Sequence, residues 1–386
     1  MVREVPLGES VDLQHLEDAF RQGGVRTDDD ALTLIDFRNS RRFDVVALLC
    51  VLAMVGTRIN SDRLTRFRLP RGAALDTLRR ERFLETACQV ARAPLPMLLA
   101  LEDVKSLRDR MNSDRVSAWW QSGDPRDQII QHLREKRVFG LSLYRLENED
   151  ARTAMMQEEL GRWTDPLALA LFSRSLKESA EWDVARVIVH EILANVQEHP
   201  NASMAVVASD MVLSDKDTPQ PALTIAVWDN GDSIVETLRA GLDSRGSVRV
   251  APPPATDTFR VRRQGFGAPV TDQMVTSVWE PQVGDDDRDL LLASLFPGIS
   301  RKLGEADQPG HPAVDRFLGC GLYFLYHHVI DVFRGTLDIY VGKIRLTVQA
   351  EPDPASSAQY LVTLTEGLGT SKIRGNLVVA RLPTHG

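Results

Sequence analysis

The stretch HEILANVQEHPNA, His190 to Ala202, decides how the chain is read. It closes a helical run from Val184 to Glu198, with Asp183 placed to cap it and Pro200 to stop it. Val187, Glu191 and Asn195 recur every four residues and His199 continues the row, so the spacing predicts that they stack on one helix face. Ile188, Val189, Ile192, Leu193 and Val196 fill the other faces. A carboxylate and an amide held among apolar side chains each need a partner, because unpaired burial costs several kcal/mol. That partner is either a backbone group or water, or it is a ligand.

Working outward, strands are expected at about Ser203 to Val212 and Leu223 to Trp228, joined by the polar turn DKDTPQP. The second strand runs into Asp229-Asn230-Gly231-Asp232, where a carboxylate leaving a strand end precedes a glycine that admits a flat ligand. Taken alone, this is a turn signal. Between Asp232 and Leu318 the periodicity is lost through APPPA, QGFGAP, GDDDRD and PGIS, and so long an insertion reads as a lid. Gly319-Cys320-Gly321 then opens an amphipathic helix with Leu322, Leu325, Val329 and Val332 on one stripe, and free N–H groups at such a start favour phosphate. Strand-like segments follow at Thr336 to Tyr340, Lys343 to Val348, Gln359 to Thr365 and Asn376 to Leu382, in the manner of a meander.

The first hundred residues alternate short strands, Leu32 to Phe37 and Leu64 to Leu69, with longer helices. Asp44 to Met54 is a continuous apolar helix capped by Asp44, and Ala73 to Val90 has helical spacing. The organisation expected is a small α/β domain over 1–100, a charged connector over 101–164 that is helical around Trp119 and Trp120 and includes the strand candidate Val138 to Leu143, and a second α/β domain over 165–386.

The 386 residues carry a formal net charge of −8, without a long Lys/Arg run, which argues against a nucleic-acid or anionic-membrane partner. The start lacks the apolar core of a signal peptide and no segment reaches a membrane span, so a cytoplasmic protein is expected. Cys50, Cys88 and Cys320 have neither zinc nor disulfide spacing. His190-Glu191 does not extend to H-E-x-x-H, because Ala194 stands four residues after His190. His327 and His328 read as structural, Asp285 to Asp287 as a solvated loop, and Arg262 and Arg263 as solvated surface.

As an ordered set, Glu191-x-x-x-Asn195, Asp229-Asn230-Gly231-Asp232-Ser233, the insertion, Gly319-Cys320-Gly321-Leu322 and a last strand from Gly375-Asn376-Leu377 to Leu382-Pro383 resemble the GHKL or Bergerat-fold ATPase family. The resemblance covers about 165–386 and implies an α/β sandwich that binds ATP and Mg²⁺. It implies that Asp229 accepts the adenine amine, that Gly231 lies against the ring, and that Asn195 ligates Mg²⁺. Glu191 would be the general base, and Gly319, Cys320, Gly321 and Leu322 would line the phosphates. Ser233 departs from the family's usual glycine. His199 resembles the helix end of the anti-sigma-factor kinases, and Arg301 and Lys302 are candidate phosphate-facing cations in the lid. The N-terminal segments LTLIDFRNSRRFDVVALLCVLAMV, RFRLP and FLETACQV look like a STAS domain, although Asp44-Val45-Val46-Ala47 lacks the usual phosphoacceptor and implies a scaffold or docking role. The reading is an ATP-hydrolysing regulatory switch with a protein partner. Alternatives are a protein serine/threonine kinase of the anti-sigma type and a non-catalytic nucleotide sensor. Such proteins often form homodimers.

Overall fold

The computed structural model describes residues 2–23, 32–59, 65–100, 103–104, 139–163, 179–199, 201–212, 222–249, 256–265, 269–299, 321–367 and 372–383. The chain is mixed α/β. Its N-terminal part contains β1 (Val2–Pro6), β2 (Ser10–Val11), α1 (Leu13–Gln22), β3 (Leu32–Asp36), β4 (Arg42–Phe43), α2 (Val45–Ile59) and β5 (Thr65–Arg68), then α3 (Ala73–Arg80), α4 (Phe83–Ala91) and α5 (Leu95–Leu98). Strands β1, β3 and β5 form a parallel sheet in that order, and β2 pairs with β4. The helix expected over 73–90 is broken at Arg82, whose φ of 59° is left-handed. The break aims Phe83 at the core, where its ring lies 5.4 Å from Phe67 and 5.8 Å from Phe37.

Next come β6 (Gly140–Arg145), α6 (Glu149–Arg162), α7 (Ser179–Glu198), β7 (Met204–Val212), β8 (Ala222–Asp229), α8 (Ile234–Arg245), β9 (Thr258–Arg263), β10 (Thr271–Thr276) and α9 (Asp287–Ala293). The described chain ends with α10 (Gly321–His327), a π-helical turn over His328–Val332, β11 (Thr336–Gly342), β12 (Ile344–Ala350), β13 (Tyr360–Glu366) and β14 (Ile373–Pro383). Nine strands form one mixed sheet in the order β10-β9-β13-β12-β11-β14-β8-β7-β6, with β9 and β13 parallel. The last four strands are therefore not a simple meander, because β14 returns to pair with β11 and wedges between it and β8.

Several expectations are refined. Strand β6 falls on the strand candidate within the connector, and residues 139–163 supply this edge strand and a helix of the large sheet's own layer. The insertion over 232–318 is not a structureless lid, since α8, β9, β10 and α9 lie inside it and β9 extends the large sheet. Asp286, expected in a solvated loop, caps α9 through the backbone N–H groups of Arg288 and Asp289. Val332 leaves its expected stripe and is 42% exposed. The wider π turn rotates it away from Val329, which stays fully buried.

Both faces of the large sheet are covered. In β8, Leu223, Ile225 and Val227 face one core with α7 and α10, while Ala226 and Trp228 face the other with α2. The period-two alternation explains why β7 and β8 are apolar at successive positions. Helix α2 is buried at every position from Val45 to Val55 because the small parallel sheet packs on one side of it and the large sheet on the other. The N-terminal part thus shares a continuous core with the large sheet rather than building one of its own.

A buried charge cluster crosses this joint. Asp338 on β11, 1% exposed, takes Nε of Arg345 at 3.1 Å and Oγ1 of Thr347 at 2.5 Å, and pairs with Arg381 on β14. Burial pushes its carboxyl up, but the Arg381 and Arg345 guanidiniums outweigh burial and hold it below the usual carboxylate range. Glu17 of α1 reaches Nη1 of Arg345 at 3.3 Å and the Tyr340 hydroxyl at 3.1 Å. For Glu17 burial dominates and holds the carboxyl above its ordinary value. Among the described residues, no helix is long and apolar enough to cross a membrane.

Candidate functional site

Helix α7 carries a gradient along its polar row. Val187 is 38% exposed, the Glu191 side chain is 22% exposed, Asn195 is half-buried and His199 is 8% exposed, whereas Ile188, Val189, Ile192, Leu193 and Val196 are buried. The Asn195 amide donates through Nδ2 to the Glu191 carbonyl at 2.9 Å. A carbonyl partner requires the nitrogen on that side, so Oδ1 is the atom Asn195 presents. The helix end is tied down by Arg152 of α6, which donates to the carbonyls of Gln197 (2.8 Å), His199 (3.0 Å) and Ala202 (2.7 Å). These include carbonyls that the helix geometry leaves unpaired. Nothing in the sequence pattern singled out Arg152.

At the far end of this row, His199 meets the end of β8. Its Nδ1 lies 2.9 Å from Oδ2 of Asp229, which is 1% exposed, and Gly231 donates its N–H to Oδ1 at 2.9 Å. Asn376 of β14 stands opposite Asp229 in register and donates Nδ2 to the same Oδ2 at 3.2 Å. Its Oδ1 accepts the Ile234 N–H at 2.7 Å. With the proton of His199 on Nδ1, the Asp229 carboxylate accepts from His199, Gly231 and Asn376. The apolar pattern of the last strand does not single out Asn376, whose polar side chain sits within the strand after Gly375.

The departure at Ser233 has a local cause. Its Oγ accepts the Glu236 N–H at 3.2 Å and the Glu236 carboxylate accepts the Ser233 N–H at 2.7 Å, a reciprocal cap for α8 that glycine cannot make. The side chain therefore serves helix initiation. Asn230 does comparable work, accepting the Ser203 and Met204 N–H groups at 3.0 Å each.

The second glycine segment arrives beside α7. A Cβ added to Gly321 would stand 3.4 Å from Oδ1 of Asn195 and 3.5 Å from Oε2 of Glu191. Three residues from two distant segments thus meet at the start of α10, where helix N–H groups are available. Leu322 is buried and packs in the core behind them. Gly319, Cys320, Arg301 and Lys302 lie outside the described residues. Arg262 and Arg263, read as solvated, pair with Asp272 at 2.9 Å and Asp289 at 2.5 Å. Among the described residues no group of three or more His, Cys, Asp or Glu side chains is placed to hold a metal ion. The donor set fits a hard cation only in a site where Asn195 Oδ1 supplies one ligand and phosphate and water the rest.

Helix α10 is fastened at its other end to the insertion. His327 places Nε2 3.1 Å from Asp257 and Nδ1 2.6 Å from Asp331, and Tyr326 donates to Asp257 at 2.5 Å while Tyr360 donates to Asp331 at 2.9 Å. Tyr323 closes the ring side, 4.5 Å away between centroids. Burial disfavours the imidazolium, but the hydrogen bonds and charges of Asp257 and Asp331 win and raise its pKa. A raised folded value means that this stabilisation is complete below the ordinary histidine value of about 6.5 and fades as pH rises through the folded one. His327→Gln is expected to cost about 1.5–3 kcal/mol at pH 6, the scale of hydrogen bonds to charged groups, and less at pH 9. Urea unfolding at the two pH values checks this, and an equal loss at both would exclude a charged His327.

No protein-family model, curated protein or solved structure matches the chain.

Proposed function

We propose that the chain is a Mg²⁺-dependent ATP-binding regulator of the GHKL type that hydrolyses ATP as a conformational switch. The observation that carries this reading is the approach of Gly321 to Glu191 and Asn195 on a helix whose end locks against Asp229. Asp229 Oδ1 accepts one N–H and keeps a lone pair for an exocyclic amine. Asn195 Oδ1 would hold the cation, which neutralises charge on the β- and γ-phosphates. The Gly321 segment would face those phosphates with backbone N–H groups. Glu191, one turn from Asn195, takes the proton from water as its oxygen bonds to the γ-phosphorus and the bond to the ADP oxygen breaks. A partner hydroxyl in place of water would make the protein a serine/threonine kinase of the anti-sigma type.

Phosphate release from ATP by the wild type, set beside Glu191→Ala with nucleotide binding verified in both, tests this. A fall of about 10²-fold or more is expected for loss of a general base. Release that is unchanged in the variant would remove Glu191 from the chemistry. The 1% exposure of Asp229 favours a second reading, in which the triad is a fixed lock and the site senses nucleotide without turnover. In that case both proteins bind ATP and neither releases phosphate. The N-terminal part, resembling a STAS domain, would be the docking element for a protein partner in a cytoplasmic, bacterial type of regulation, and a homodimer would fit the same family habit.

A further inference from the structure

We infer that the N-terminal parallel sheet carries a second ligand site, for a small phosphorylated metabolite, at the carboxyl ends of β1, β3 and β5. A cavity of about 740 Å³ lies there, lined by Glu9, Arg38, Asn39, Ser40, Arg41, Arg71, Ala73 and Ala74. Every lining residue belongs to one of three segments: the turn after β1, the turn after β3, or the turn after β5 with the start of α3. In open α/β sheets ligands collect at this end because the strands deliver several loops to one place. The volume lies within the usual range of small-molecule sites, roughly 300–1,000 Å³.

The lining chemistry selects an anion. Three arginines line the cavity against one glutamate, in a chain whose net charge is −8. Asp36 grips Arg38 through Nε at 2.9 Å and Nη2 at 2.5 Å, which fixes the plane of that guanidinium at the rim. Among the described residues the Arg41 guanidinium pairs with Glu9 alone, an exposed contact at 3.4 Å of little energetic weight. Among the described residues Arg71 has no partner at all. Planar guanidiniums from two turns, Arg38 and Arg41 after β3 and Arg71 after β5, suit phosphate oxygens, which accept paired N–H donors. Ser40 is turned away, donating to the Gly8 carbonyl at 3.0 Å, and so shapes the wall rather than supplying a nucleophile. The start of α3 adds to the same field: Gly72 precedes it with φ +62°, gives it no side-chain cap, and would have open space around an added Cβ. This site is separate from the Glu191 region and does not depend on the nucleotide reading.

Arginine protection in the full chain tests it. Pyrophosphate and fructose 1,6-bisphosphate, each at millimolar concentration, should slow phenylglyoxal modification of Arg41 and Arg71 but not of Arg92, which is exposed in the same part of the chain and outside the cavity. Sodium sulfate at matched ionic strength should not reproduce the effect. Protection by pyrophosphate alone assigns the site to inorganic phosphates, and protection by both assigns it to phosphorylated metabolites. Calorimetric titration should show binding of the protecting anion weakened about tenfold by Arg71→Gln, as for loss of one charge-assisted contact. Protection equal at Arg92, none at any arginine, or titrations identical in wild type and variant would overturn the assignment.

Discussion

Gly375→Ala is expected to destabilise the fold by about 2–5 kcal/mol, from the left-handed backbone cost and the overpacking together. Gly375 has φ +77°, and an added Cβ would lie 1.9 Å from the Asp229 carbonyl oxygen and 2.7 Å from its carbon. Those atoms are backbone of a central strand paired on both sides, by β7 and β14, so they have no room to yield. Relief requires β14 to shift, and that shift moves Asn376 off Asp229 and Ile234. The substitution therefore strikes stability and the triad through one contact. Guanidinium unfolding checks it, and a loss below 1 kcal/mol would mean that the β8–β14 register is other than described.

Arg381→Met is expected to cost about 3 kcal/mol, because it leaves the carboxylate of Asp338 buried with only part of its compensation. Arg345 remains at 3.1 Å but already serves Glu17. The double variant Asp338→Leu with Arg381→Met is expected to lose less than the single one, since the orphaned charge goes with its partner. The pH dependence gives an independent check. A carboxyl held below its ordinary value contributes stability that is present above about pH 3.9 and is lost as pH falls through the lower folded value. Wild type should therefore weaken on acidification in a way that Asp338→Leu does not. Equal acid slopes in both, or a single variant as stable as wild type, would contradict the pairing.

These two substitutions bracket what was legible in the sequence. Helix α7, strands β7 and β8 and the C-terminal strands were readable because their apolar periods are long and uninterrupted. The row from Glu191 to His199 was readable because four-residue spacing fixes a face. The insertion was not readable: β9 alternates only two apolar residues, Phe259 and Val261, with arginines, and β10 lies at the sheet edge with its side chains mostly exposed. The shared core was hidden for a related reason. Apolar residues at successive positions in β7 and β8 do signal a sheet covered on both faces, but they do not say that α2, more than a hundred residues away, is the cover. Likewise Arg152, Asn376 and the Asp338 cluster act through pairings between distant segments. Local pattern carries no trace of those. Ser233 shows the reverse case, where a departure from a family pattern is explained by the capping rule of the very next helix.

We propose that Glu191, Asn195, Gly321 and Asp229 form one ATP site, which calorimetric titration of the full chain with ATP, with and without Mg²⁺, in wild type and Asn195→Ala, puts to the test. One ATP per chain is expected, bound more tightly with Mg²⁺, and Asn195→Ala should lose that Mg²⁺ enhancement. No ATP binding by wild type at millimolar nucleotide, or a Mg²⁺ enhancement that survives in Asn195→Ala, would contradict it.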